Sequence, residues 1–426
     1  MRFLAVTETC DLVSLYMRLV GDGHEVRVHV SDPGASGTGA GLFDRVTDWR
    51  AQLNWIREAG DEGIIIFEAV SEGFGALQDE LRLDGFNVVG GSAEGDRLEN
   101  DRAYAQAVLG TLGFPIGHTW EFHDFGAADA FLADNPGRYV LKFSGPDFAS
   151  SDNYIGQLNN GRDVRAVLAA RQGAATFILM AFIEGVEIGV GAWFDGDNFL
   201  MPACIDWEHK RFFAGDMGEL TGEMGTVATF EGTQHFFDLT LAKVAEHFRG
   251  HAHVGWINLN CIVNAAGIWP LEFTCRFGYP GFAVLEPLQV TRWAEIFRAM
   301  VIGAPALETR PGFSLGVVLT TPPFPYTRKQ VPEPVGLPVL IDATERANLH
   351  YGEVGLDAGG ALVTSGLYGW TMVVTGTGAT VIEARDDAYA RVRGVVIPNM
   401  RYRLDIGQRL IDRDLATLKS LGLFEA

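Results

Sequence analysis

Two hydrophobic periods alternate over the first ninety residues. Phe3–Val6, His24–Val30 and Gly63–Phe67 read as strands, whereas Asp11–Val20 carries apolar residues at helical spacing. Val88-Val89-Gly90-Gly91 closes the segment. Strands alternating with helices predict a parallel sheet covered on both faces. Ligands of such sheets gather at the carboxyl ends of the strands, where Thr7, Glu8 and Glu68 stand. A helix is predicted over Arg97–Leu112, stopped by Gly113 and Pro115. From Tyr139 onward strands dominate, at Val140–Phe143, Thr176–Met180, Glu187–Phe194 and Gly255–Val263, the last turning at Asn264–Gly267 into Leu271–Gly278. Gln234–Phe248 reads as an amphipathic helix and the proline-rich stretch from about Pro305 to Pro338 as a linker. Beyond it, short strands and a helix over Glu383–Val392 suggest a small α+β cap. The fold class is therefore α/β and α+β multidomain.

Charges that interrupt apolar strands are the first chemical signal. Glu272 lies in the apolar run that begins at Leu271, with Arg276 four residues on. A carboxylate on a rigid strand suits Mg²⁺, which takes a few hard oxygens from protein and the rest from phosphate and water. A buried Glu272–Arg276 pair joining two strands explains the same pattern equally well. Lys142 interrupts a second strand, either snorkelling to solvent or reaching a ligand phosphate. The loop after it, from Ser144 to Gly156, is dense in small and polar residues able to fold amides over phosphate.

Bulk composition narrows the partners. A chain of 426 residues is expected to hold two to four domains. The net charge of −21 repels nucleic acid, so an anionic substrate needs a local basic pocket. Cys10, Cys204, Cys261 and Cys275 lack metal-site spacing and suit reduced core thiols. With no signal-like start and no apolar stretch near the roughly 20 residues that span a bilayer, the expectation is a cytoplasmic protein without a membrane partner, monomeric or homodimeric.

The motifs and their order resemble the ATP-grasp ligases that join glycine to phosphoribosylamine. Those carry Glu-Phe-Asn-Cys-Arg-Phe-Gly-Asp-Pro-Glu where this chain has Glu272-Phe273-Thr274-Cys275-Arg276-Phe277-Gly278-Tyr279-Pro280-Gly281. Phe182-Ile183-Glu184-Gly185-Val186-Glu187 resembles Phe-Leu-Glu-Gly-Glu-Glu. His209-Lys210-Arg211, followed by Asp216 and Thr221-Gly222-Glu223-Met224-Gly225, resembles Asp-His-Lys-Arg, Asp and Asn-Thr-Gly-Gly-Met-Gly. Tyr402-Arg403-Leu404-Asp405-Ile406-Gly407 resembles Tyr-Arg-Lys-Asp-Ile-Gly near the carboxyl end.

The resemblance implies an N-terminal domain over 1–100, an ATP-grasp domain over 101–305 with a nucleotide lid over 139–194, and a cap over 306–426 that closes the cleft. It implies ATP and Mg²⁺, with Mn²⁺ as a substitute, and two small substrates, an amino acid or other carboxylate and an amine. Phosphates would fall to Arg102, Lys142, Ser150 and Ser151, and nucleotide contacts to Glu184 and Glu187, the latter on the ribose. Metal would fall to Glu272 with Asn260 and Thr274. Lys210, Arg211 and Arg276 would act at the reacting groups. Glu68, Asp216, Thr221, Gly222, Met224 and Gly225 would contact substrate.

Four departures accompany it. The loop after Lys142 lacks the family's lysine, Met180 or Ala181 replaces an acid that faces adenine, and Thr274 replaces an asparagine. The glycine-rich helix entrance near the amino terminus is replaced by Thr7-Glu8-Thr9-Cys10-Asp11, whose acids oppose a sugar phosphate there. The expected activity is ATP-dependent carboxylate–amine ligation through an acyl phosphate, with phosphoribosylamine or a different amine as acceptor. The alternative is a nucleotide-binding or regulatory protein that kept the fold and lost the chemistry.

Overall fold

The computed structural model describes residues 1–68, 73–144, 153–171, 175–303, 307–325, 335–342 and 346–424. Ser150 and Ser151 lie outside them.

The amino-terminal third forms the expected parallel sheet. Strands β1 (Arg2–Thr7), β2 (Glu25–Val30), β3 (Asp44–Arg45), β4 (Gly63–Phe67) and β5 (Val88–Val89) order as β3-β2-β1-β4-β5. β4 is buried on both faces, which is why it reads as a continuous apolar run. Glu68 follows at its carboxyl end. The predicted helix over 97–112 is instead two, Ala93–Asn100 and Arg102–Thr111. Asp101 leaves the helical region, and its carboxylate accepts from the Tyr104 amide to cap the second helix.

A four-stranded lid sheet follows, built from β6 (Thr119–Phe122), β7 (Tyr139–Ser144), β8 (Tyr154–Ile155) and β9 (Thr176–Ala181), in the order β6-β9-β7-β8. Tyr139 and Leu141 pack into its core with Phe177 and Leu179. Strand alternation then turns Lys142 to the opposite face.

The main sheet has eight strands. It is formed by β10 (Val186–Phe194), β11 (Cys204–Glu208), β14 (Gly225–Thr229), β15 (Gly255–Asn264), β16 (Gly267–Thr274), β17 (Phe313–Thr320) and the strands Leu349–Tyr351 and Trp370–Gly378. Between β11 and β14 lies a small hairpin, β12 (Arg211–Phe213) and β13 (Met217–Leu220). The stretch read as a proline-rich linker therefore contains a central strand. β17 is buried throughout and pairs with β14 on one side and Trp370–Gly378 on the other. Its apolar run Phe313–Thr320 was obscured by the prolines around it. The carboxyl-terminal region thus extends the same sheet that carries Glu272. The helix expected over Gln234–Phe248 breaks at Thr240 into Gln234–Leu239, a 3₁₀ turn and Ala245–Phe248.

Candidate active-site cleft

Strand register assembles the site. Across the main sheet Asn260 opposes Glu272, Asn258 opposes Thr274, Gly189 opposes both Asn260 and Asp206, and Glu208 opposes Thr226. Directly paired residues share a face, so these side chains and Glu187 form one polar floor beneath the lid. Two glycines make room for it. A Cβ at Gly189 would lie 2.2 Å from Asp206 Oδ1, and one at Gly191 would lie 2.3 Å from Trp256 Cζ2. The cleft encloses about 210 Å³, with Tyr279, Val284 and Leu285 among its walls.

Lys210 is the hub of the floor. Its Nζ lies 2.9 Å from Glu272 Oε1, 3.1 Å from Glu208 Oε2 and 3.2 Å from Glu187 Oε1. Burial works against the ammonium, but Glu208, Glu272 and Glu187 outweigh it and hold its pKa well above the ordinary lysine range. In return Lys210, opposing burial, holds Glu272 down at about 2. Arg102 Nη1 approaches Glu272 Oε2 at 4.0 Å, and burial lowers its pKa. Lys142 faces the same group. Burial first, then the like charge of Arg102, pushes its pKa down to about 8, while Glu272 and Glu187 pull the other way. Lys142 and Glu272 therefore share one electrostatic neighbourhood. A cation held low by burial and by another cation is the signature of a site waiting for an anion.

The donor set is also of the oxygen type a hard divalent cation takes, although its carboxylates gather around Lys210 Nζ and do not close into a three-carboxylate cluster in this structure. Glu187, Glu208 and Glu272 present carboxylate oxygens around one point, and the buried Asn260 Oδ1 has no partner while its Nδ2 donates to Glu187 Oε1 at 2.9 Å. Thr274 lines the same cleft. The Glu272–Arg276 pair is not formed. Arg276 Nε bonds Glu99 Oε1 at 3.2 Å, while Glu272 turns to Lys210. Phe277 fixes this segment by packing against Trp193 (ring centroids 4.4 Å) and Trp293 (5.3 Å), leaving Arg276 on the cleft wall.

Several expected contacts fall elsewhere. Asp216 bonds Arg403 Nη2 at 2.8 Å and Arg409 Nη1 at 3.1 Å, so it belongs to the seam with the carboxyl-terminal segment and is absent from the cleft wall. Arg211 Nη1 donates to Gly218 O at 2.6 Å, closing its own hairpin. Thr221 Oγ1 donates to Lys210 O, which braces the hub residue from behind. Met224 is fully buried against Phe212 and Phe324, and Gly225 lies too close to Gly316 O for a side chain. Of that loop Gly222 and Glu223 reach the cleft. Glu184 is exposed at the β9–β10 turn, and Glu187 is held by Lys210 and Asn260. Glu68 is engaged in the amino-terminal domain, where its Oε2 accepts from the Leu12 amide at 2.9 Å. Burial, then Asp11, raises its pKa well above normal.

His209, beside the hub, is structural. Its Nδ1–H donates to Gly225 O and its Nε2 accepts from the Gly407 amide at 3.1 Å. Burial, then Arg403 and Arg409, lowers its pKa to about 4 and keeps it neutral.

Sequence reading named Asn258 as a possible helper of Glu272 but missed Asp206, Glu208 and Glu223 as cleft residues. The signal was there in Ile205-Asp206-Trp207-Glu208, a period-two alternation of bulky apolar and acidic residues within one strand.

The chain is similar to known proteins over most of its length. Residues 100–282 match the family described as phosphoribosylglycinamide synthetase, ATP-grasp (A) domain. The phosphoribosylamine–glycine ligase of Leifsonia xyli subsp. xyli is 28% identical over 345 residues, 78% of this chain and 81% of that protein. That of Streptomyces coelicolor is 28% identical over 348 residues, 78% and 80%. Among solved structures, the phosphoribosylamine–glycine ligase of Thermotoga maritima superposes with a TM-score of 0.68 at 22% identity, covering 95% of this chain and all of that one. The biotin carboxylase subunit of pyruvate carboxylase reaches 0.59 at 13% identity.

Proposed function

We propose that this chain, an ATP-grasp ligase resembling the phosphoribosylamine–glycine ligases, joins a small carboxylate to an amine with release of ADP. The observation that carries this reading is the meeting of Lys142, Arg102, Lys210 and Glu272 beneath the lid. ATP would activate the carboxylate as an acyl phosphate, and Mg²⁺ would neutralise charge on the phosphates. Lys142 and Arg102 bind the phosphates from the lid side. Glu272, with Glu208 and Asn260, would hold the cation, and Glu187, now bound by Lys210 and Asn260, would turn to the ribose. Lys210, once free of these carboxylates, would use its ammonium to stabilise charge developing on the transferred group. Arg276 orients the substrate carboxylate. Cytoplasmic location fits this chemistry, and among the described residues no helix is long and apolar enough to cross a membrane.

Steady-state ADP release with glycine and phosphoribosylamine, then with other acid–amine pairs, tests the reading. Turnover with at least one pair, lost in Glu272→Gln, supports it. Tight MgATP binding with no turnover on any pair contradicts it and favours a nucleotide-binding protein without ligase chemistry.

A further inference from the structure

Lys210 neutralises one end of the cleft floor. The other end is acidic, and among the described residues no cation bonds its carboxylates. Asp206 and Thr226 are 7% and 5% exposed, and both line the cleft. Asp206 Oδ2 accepts from Asn258 Nδ2 at 2.6 Å, but its Oδ1 has no partner. The same holds for Thr226 Oγ1, for Glu223 Oε1 and for the Tyr279 hydroxyl, all buried and all on this cleft. Two carboxylates and two hydroxyls with unused acceptor capacity match an ammonium or guanidinium, which brings only donors. Burying such acceptors unpaired is costly, and a ligand cation removes that cost.

The walls add the remaining constraint. Trp256, Ala228, Val284 and Leu285 line the same cleft as Arg276 and the acidic residues, and give it apolar surface suited to methylenes. Glu223 stands where the resembled Thr-Gly-Gly-Met-Gly motif has its second glycine, so this acid is a feature of the present chain. A carboxylate at Arg276 and a cation at Asp206 and Glu223, joined by an alkyl segment, describe an amino acid with a basic side chain.

We infer that Asp206, Glu223, Thr226 and Tyr279 form a subsite for the side-chain cation of a basic amino acid, which serves as the carboxylate substrate. The inference rests on the ligase reading for the substrate's role, and on the cleft alone for its charge. Calorimetric titration in the presence of Mg²⁺ and a non-hydrolysable ATP analogue tests it with three matched pairs: L-lysine against L-norleucine, L-ornithine against L-norvaline, and L-arginine against L-citrulline. At least one cationic member should bind about tenfold or more tightly than its neutral partner. Asp206→Asn and, separately, Glu223→Gln should erase the difference while MgATP affinity and circular dichroism stay unchanged. Equal binding within every pair, or binding of none, overturns the subsite. ADP release with the same acids and hydroxylamine as acceptor separates the two claims. Cation preference in binding without ADP release leaves the subsite standing and removes the ligase reading. Turnover of neutral acids with no preference for the cation does the reverse.

Discussion

At the residue scale the cleft stores unfavourable electrostatics that a ligand relieves. Lys142 has a folded-state pKa of about 8, below the 10.5 of a free lysine, with burial as the main cause. The folded protein thus binds fewer protons than the unfolded chain between about pH 8 and 10.5, and stability rises across that window. Below pH 8 the penalty is complete. Lys142→Met should therefore stabilise the ligand-free protein by about 1–3 kcal/mol at pH 7, an advantage that shrinks toward pH 10.5. The same variant should weaken MgATP binding by about tenfold or more. Thermal denaturation against pH and calorimetry check the two halves. Lys210→Met has the opposite sign, because it strands three carboxylates around one point. It should destabilise by about 1–3 kcal/mol in EDTA, with the partners still partly solvated, and millimolar Mg²⁺ should restore much of the loss. A melting temperature indifferent to Mg²⁺ in that variant would contradict the cation assignment.

Glu272 and Lys142 were legible from sequence because each breaks an apolar strand, which only a strong reason permits. Lys210 was legible as a residue and not as a hub. Its three partners come from β10, β11 and β16, and only register brings those strands together. Asp216 and Arg211 show the converse. A motif-like loop of charge and glycine looks the same from sequence whether it faces substrate or a neighbouring segment.

At the scale of elements, the hairpin that follows Lys210 is pinned from the carboxyl-terminal segment. Arg403 is 3% exposed and bonds Asp405, Asp216 and the Arg211 carbonyl. Asp405 accepts from the Gly215 amide, and His209 reaches Gly407. Arg403→Met should destabilise by about 2–4 kcal/mol, because it removes a buried cation from two acids and a carbonyl. Limited proteolysis should then open the hairpin at 211–220 first, whereas uniform digestion would argue against a local clamp. The resemblance of 402–407 to a family motif flagged this segment, and the structure explains it as a clamp on the hub's own hairpin. The split of the predicted helix at Asp101 has a consequence of the same size. It places Arg102 in the first turn of a new helix, where it meets Glu272. Periodicity alone could not show the break, since the apolar spacing continues through it.

For the whole molecule, one sheet carries the account. Cleft residues from β10, β11, β14, β15 and β16 lie on a surface that β17 and the carboxyl-terminal strands continue, so nominal domain boundaries cross a single hydrogen-bonded layer. The whole chain's net charge of −21 surrounds a small basic focus made by Lys142, Arg102 and Lys210. Charge of this sign favours small ligands brought in with their own cation over free polyanions. The parallel sheet and several strands of the lid and central sheets were foreseeable from periodicity; their grouping into a lid and a central sheet was implied only by the family resemblance. The inclusion of the carboxyl-terminal region in the central sheet was not foreseeable, because strand partners distant in sequence leave no local trace.

The most direct measurement is a crystal structure with Mg²⁺ and a non-hydrolysable ATP analogue. The phosphates should lie against Lys142 and Arg102, the metal on Glu272, and Lys210 should be displaced from at least one carboxylate. Nucleotide bound elsewhere, or a cleft in which Lys210 still holds all three carboxylates beside a bound triphosphate, would contradict this placement.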